Sequence, residues 1–242
     1  MNERIAQLVY RNDRAIKHGF FFGRTKTFKL PMEIRFNKRK LPICLPEDAT
    51  KLFMEVFLGD EYWLRYVPSS EIKNIVDIGA NVGTFGITAR TFFPYAEITC
   101  YEPNCGLREY LDENGDNFEL NIEYSAVGPQ EGVGYLENTH TFGSVANFVE
   151  DTKGNIPIKA IGSIVEDYPN GIDLLKLDCE GYEHELFKVQ DIWHNVKYIT
   201  MEYHASELRS VVQTLNEIGF DPIKTFKGPF WIGNILAKRI NP

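Results

Sequence analysis

From Ile72 onward, short apolar runs alternate with stretches of helical periodicity. The spacing predicts strands over 74–78, 97–101, 122–127, 173–177 and 198–202. Strands separated by helical stretches are the pattern of a parallel sheet covered by helices. The end of the chain breaks this alternation, because the extended runs 221–226 and 231–237 are joined only by a short turn at Gly228-Pro229. So short a connection makes the two runs antiparallel. Leu208, Val211, Val212 and Leu215 share one face of a helix over 206–219, with Ser206 as its cap and Gly219 as its stop. No long helical pattern occurs between 128 and 169, where 133–136 and 156–161 read as further strands over one edge or mouth of the sheet.

Before residue 70 the pattern is mixed. A helix is expected over 3–17 and extended segments over 27–36 and 41–45, punctuated by Pro31, Pro42 and Pro46. Ala49, Leu52, Phe53, Val56 and Phe57 then have helical spacing, and Gly59 offers a stop. The expected organisation is a cap or lead-in over 1–70 followed by an α/β domain over 71–242.

Composition narrows the class. With 242 residues and 43% apolar content, the chain can bury one sizeable core. A charged fraction of 25%, with no repeat or low-complexity run, excludes disordered and solenoid architectures. The net charge of -8 argues against a nucleic-acid or anionic-membrane surface. The one basic cluster, Arg35, Lys38, Arg39 and Lys40, falls between two apolar stretches and reads as a solvated hairpin turn. Cys44, Cys100, Cys105 and Cys179 lack metal-ligand spacing, and neither a secretory signal nor an apolar run of membrane-spanning length occurs. A reducing, cytoplasmic setting is the expectation.

Four segments carry chemistry. Val76 to Gly86 runs from a strand through a glycine-rich turn into a helix, where close backbone approach and free amides suit a carboxylate or phosphate. Glu102 closes the next strand twenty-five positions after Asp77, where an acid can accept from both ribose hydroxyls of a nucleoside. The pair points to an adenosine-containing cofactor. Gly79, Gly83 and Gly86 do not follow the G-x-G-x-x-G dinucleotide spacing, and no Tyr-x-x-x-Lys pair occurs. A nicotinamide-dependent oxidoreductase is therefore the second reading, and a non-catalytic adenosyl-binding protein the third. Asp178, Glu180 and Glu183 cluster where a buried strand ends, although acids there also suit a helix N-terminus. Glu202 and His204 end the next strand on the same rim, and an ordinary imidazole pKa near 6.5 suits proton transfer at neutral pH.

These segments bring a family into view. From about residue 41 to the C-terminus the chain resembles FkbM-type methyltransferases, most specifically in Asp77-Ile78-Gly79-Ala80-Asn81-Val82-Gly83, Tyr101-Glu102-Pro103-Asn104, Ser125-Ala126-Val127-Gly128 and the run from Leu175 to Glu183. The resemblance implies a Rossmann-like class I fold, a seven-stranded, mostly parallel sheet with one antiparallel strand. It also implies binding of S-adenosylmethionine and O-methylation of a small-molecule acceptor: a sugar, polyketide or other secondary metabolite. By the same resemblance, Asp77, Gly79, Asn81 and Gly83 would hold the methionine end, Glu102 the ribose, and Ser125 with Ala126 the adenine. Asp178, Glu180, Glu183 and Glu202 match acids that recur in the family. His204 is the favoured base with Asp178 orienting the acceptor, the reverse assignment stays open, and Glu180 is a further catalytic candidate. Related sugar O-methyltransferases hold a divalent metal near these strand ends, and Asp178, Glu180 and Glu202 could supply oxygen ligands to magnesium.

Overall fold

A computed structural model describes residues 3–20, 32–137, 147–204, 207–227 and 232–240. Its strands are β1 (Met32–Phe36), β2 (Arg39–Ile43), β3 (Asn74–Ile78), β4 (Glu97–Tyr101), β5 (Asn121–Glu123), β6 (Ala126–Gly128) and β7 (Gly132–Glu137). They continue with β8 (Asn147–Glu150), β9 (Ile156–Ala160), β10 (Ile172–Leu177), β11 (Val196–Tyr203), β12 (Phe220–Lys227) and β13 (Gly233–Arg239). Seven of them form one sheet in the order β12-β13-β11-β10-β3-β4-β5. All neighbours from β11 to β5 are parallel, whereas β13 runs antiparallel to both β11 and β12. The expected mostly parallel sheet with a terminal antiparallel hairpin is what forms. The Gly228-Pro229 connection and the Ser206 cap lie outside the described residues, as does the 27–31 part of the first extended segment.

Register brings the chemistry to one edge. Ile78 is paired with Leu177 on one side and Tyr101 on the other, and Leu177 is paired with Met201. The strands β3, β4, β10 and β11 therefore end level with each other. Residues 79–83, 102, 178–180 and 202–204 all leave the sheet at that carboxyl edge, where open α/β sheets bind ligands.

Strand alternation decides which layer covers which face. Ile75 and Leu174 point into a core shared with Ala15, Phe53, Phe57 and Leu64 from the N-terminal segment. Val76, Leu175 and Ile199 point the other way, against Val211 and Leu215 of the Leu208–Glu217 helix. The first seventy residues thus supply part of one face of the same core. The helical run over 47–58 changes from 3-10 to α to π geometry, and its continuation Asp60–Trp63 has left-handed backbone at both ends (φ 52° and 54°). The Asp60 carboxylate fixes this turn by accepting from the amides of Leu64 (2.7 Å) and Arg65 (3.2 Å).

Two strand expectations change. The single strand read over 122–127 divides: β5 completes the main sheet, while β6 pairs in parallel with β9 in a second sheet ordered β6-β9-β7-β8. The chain turns at Tyr124-Ser125 to pass between the sheets. Strand β8 had no counterpart in the sequence reading. The basic cluster is a solvated hairpin as expected, with Asn37 and Lys38 both left-handed (φ 48° and 64°), the conformation that matches strand twist in a two-residue turn. No described helix is long and apolar enough to cross a membrane.

Candidate methyl-transfer site

The turn after β3 is shaped from beneath. Gly79 has φ +78°, and a Cβ there would collide with the carbonyl oxygen of Asp178. Glycine is required at this position by the neighbouring strand end, before any ligand is considered. The amides of Gly79 and Ala80 both donate to Tyr101 O at 3.0 Å, and Gly83 N donates to Ala80 O at 2.8 Å. Asn81 is left-handed (φ 53°), and its side-chain Oδ1 accepts from Val82 N at 2.8 Å. Gly83 (φ 82°) precedes the Thr84–Phe92 helix.

Glu102 joins the turn to β4. Its Oε2 accepts from Asn81 N and its Oε1 from Asn104 N, each at 2.7 Å. Each carboxylate oxygen keeps a lone pair for a further donor. Burial pushes the Glu102 carboxyl up to about 7, against the opposing pull of the Asn104 and Asn81 amides. The carbonyl of Glu123 accepts from both Glu102 N (3.0 Å) and Ser125 N (3.1 Å), which places buried Ser125 and Ala126 beside Glu102. Asp77 lies deeper than expected, fully buried, with Lys176 Nζ 3.0 Å from its Oδ1.

The opposite wall is acidic. Asp178 Oδ2 accepts from the Tyr62 hydroxyl at 2.8 Å and lies 3.7 Å from Lys176 Nζ. Both partners engage the same oxygen. His204 Nε2 is 3.0 Å from Glu202 and 3.4 Å from Glu180, while its Nδ1 is 3.9 Å from Glu183. Burial alone would lower its pKa, but the Glu202 hydrogen bond and the charges of Asp178, Glu180 and Glu202 carry it up to about 9. The imidazole is a cation at neutral pH. Glu183 Oε1 accepts from the amides of Cys179 (2.8 Å) and Gly181 (3.3 Å), so this acid braces the loop that carries Glu180.

Two functional candidates come from the lead-in segment before residue 70, outside the motifs that mark the rest of the site. Tyr62 is buried, grips Asp178 through its hydroxyl, and accepts through its carbonyl from Thr200 Oγ1 at 2.9 Å. Glu61, beside it, has its carboxyl pushed up to about 7 by burial and by Glu202, Glu55 and Asp178. Contacts across 116 residues leave no local pattern to read. Among the described residues, the His, Cys, Asp and Glu ligand atoms that gather for a cation belong to Asp178, Glu183 and His204, all within 4.8 Å. Glu180 and Glu202, expected alongside Asp178, turn instead to His204 Nε2.

The sheet is shared with solved structures of low sequence identity. The fibrillarin pre-rRNA processing protein of Methanococcus jannaschii superposes with a TM-score of 0.52 at 12% identity, over 90% of this chain and 87% of that one. The yhhF protein of Escherichia coli gives 0.50 at 14% identity, over 87% and 100%. Methyltransferase sdnD of Sordaria araneosa is 26% identical over 219 residues, covering 72% of this chain and 83% of that protein. The AMB antimetabolite synthetase AmbE of Pseudomonas aeruginosa is 22% identical over 181 residues, and this chain spans 73% of its own length but 8% of AmbE. The Methyltransferase FkbM domain family matches residues 77–222, which run from the buried acid beneath the glycine turn to the start of the terminal hairpin. A match over more than half of the chain, on a class I sheet, makes this protein a member of the FkbM family of S-adenosylmethionine-dependent methyltransferases.

Proposed function

We propose that the protein methylates a hydroxyl oxygen of a small-molecule acceptor. The observation that carries this reading is the facing of the Glu102-braced turn, on β3 and β4, by a rim of Asp178, Glu180 and Glu202 on β10 and β11. In that turn Gly79, Asn81 and Gly83 give the methionine end a close backbone approach, and Glu102 accepts from the ribose hydroxyls. Ser125 and Ala126, beside Glu102, border the adenine. Bound there, S-adenosylmethionine supplies an electrophilic methyl on its sulfonium. A C–S bond breaks as the O–C bond forms, and the hydroxyl proton must leave.

The proton on His204 shifts the choice of base. An imidazolium has no lone pair to offer, whereas the Tyr62 and Lys176 contacts of Asp178 both go to Oδ2 and leave Oδ1 to accept a proton. Asp178 takes the proton in this reading, and Tyr62 with Lys176 holds its other oxygen still. His204 balances Glu180 and Glu202, and positioning supplies the larger share of the acceleration. A divalent cation at Asp178, Glu183 and His204 would have to displace the His204 proton. Chelator-sensitive turnover would bring it in.

The net charge of -8 favours a small molecule over nucleic acid as acceptor. The antimetabolite synthetase among the relatives supports an acceptor from secondary metabolism. The test is a mass-spectrometric screen with methyl-labelled S-adenosylmethionine against hydroxyl-bearing sugars, polyketides and amino-acid derivatives, with RNA as a separate arm. A labelled methyl ether carries the reading. Label on nitrogen, carbon or RNA with none on oxygen overturns it, and binding without transfer to anything favours a non-catalytic adenosyl-binding protein.

A further inference from the structure

A lysine in the middle of an apolar strand is costly unless its charge is met. Lys176 is 2% exposed and flanked in β10 by the fully buried Leu175 and Leu177. Four oxygens converge on its ammonium: Asp77 Oδ1 at 3.0 Å, Gly79 O at 2.6 Å, Ile78 O at 3.3 Å and Asp178 Oδ2 at 3.7 Å. Neutralising the charge needs only Asp77. The shortest of the four contacts goes instead to the carbonyl of Gly79, where the cofactor turn leaves the strand.

That carbonyl belongs to the Gly79–Ala80 peptide, and glycine permits such a peptide to flip at little cost. Here both ends are held: the carbonyl by Lys176 and the Ala80 amide by Tyr101 O at 3.0 Å. With this peptide fixed, the next amide, Asn81 N, reaches Glu102 Oε2. We propose that Lys176 is a positioning residue for the cofactor turn, pinning the Gly79–Ala80 peptide so that the turn and Glu102 stand in their binding arrangement before the ligand arrives. The inference rests on reading this turn as the S-adenosylmethionine site. Holding a loop in its bound shape removes an ordering cost from binding. Because the same ammonium lies 3.7 Å from Asp178, the turn and the opposite wall share one post.

Removing Lys176 alone would strand a buried Asp77 charge, so the informative variants neutralise both partners. Calorimetric titration of the full chain with S-adenosylmethionine and S-adenosylhomocysteine, alongside melting temperatures, compares wild type, Asp77→Asn, Asp77→Asn/Lys176→Met and Asp77→Asn/Lys176→Gln. The Met pair should bind about ten- to a hundredfold more weakly than wild type, the range for a lost charge-assisted hydrogen bond. The Gln pair, which keeps an N–H for Gly79 O, should recover part of that loss at the same melting temperature. Asp77→Asn alone strands the Lys176 charge and should melt lowest, yet it keeps the Gly79 bond and should bind more tightly than the Met pair wherever it is folded. A Met pair that binds within twofold of wild type overturns the proposal. So does an affinity that only tracks melting temperature, unfolded variants included. If wild type binds neither ligand, the reading of the turn fails, and that failure is visible before any variant is compared.

Discussion

The buried carboxyl of Glu102 makes cofactor affinity a function of pH, with a sign that follows from the structure. Ribose hydroxyls donate to the ionised form, but burial holds the proton on Glu102 up to about 7 in the free protein. Below that value, binding must first expel a proton. Affinity should therefore rise through pH 7 and level off above it. If only the ionised form binds, about a tenth of the protein is competent at pH 6 and nine tenths at pH 8, roughly a tenfold change in dissociation constant. The assay is calorimetric titration with S-adenosylmethionine across this range on wild type and Glu102→Gln. The amide cannot ionise, so any pH dependence left in the variant belongs to the ligand or to other groups and is subtracted. The variant also places an NH2 group against one of the two amides at 2.7 Å, so its binding should be weak throughout. Equal pH dependence in the two proteins would refute the ribose assignment.

Four further outcomes follow from named contacts. Gly79→Ala should lower the melting temperature by at least about 2 °C, because the left-handed backbone alone costs roughly 1 to 2 kcal/mol and the Cβ meets the Asp178 carbonyl; a calorimetric melt unchanged from wild type would contradict the close approach. With Asp178 as base and His204 as a fixed cation, kcat/KM should fall as pH rises through about 9, where His204 loses its proton, and a rate that instead rises there would return the base role to His204. The same raised pKa stabilises the fold fully below pH 6.5 and is lost through about 9, so His204→Gln should flatten the alkaline fall in melting temperature. Tyr62→Phe removes the bond to Asp178 Oδ2 and should cost about tenfold in kcat, with S-adenosylmethionine affinity unchanged; full turnover would leave the tyrosine a packing residue.

Much of the sheet was legible because its strands obey simple periodicity. The spans 74–78 and 97–101 coincide with β3 and β4, and the final antiparallel pair followed from chain length between its strands. The 122–127 run failed because apolar pattern does not register a strand's partner. Tyr124 and Ser125 turn the chain out of one sheet and into the other without a glycine or proline to mark it. The site was readable where motif and strand end coincide, as at Gly79, Glu102 and Asp178. Tyr62 and Glu61 were not, because Asp178 and Glu202, whose charges bear on both, lie more than a hundred residues away and the turn that presents them is set by Asp60. Lys176 left a signal in plain view, a cation inside a leucine run, which implies a buried partner even when the partner cannot be named.

Every role proposed for these residues rests on S-adenosylmethionine binding at the turn after β3. Titration of the wild-type chain with S-adenosylmethionine, S-adenosylhomocysteine and the oxidised and reduced nicotinamide dinucleotides tests it most directly. One adenosyl ligand bound per chain, with no heat from the dinucleotides, is the predicted result. Saturable binding of a nicotinamide dinucleotide, with none of either adenosyl ligand, would contradict it.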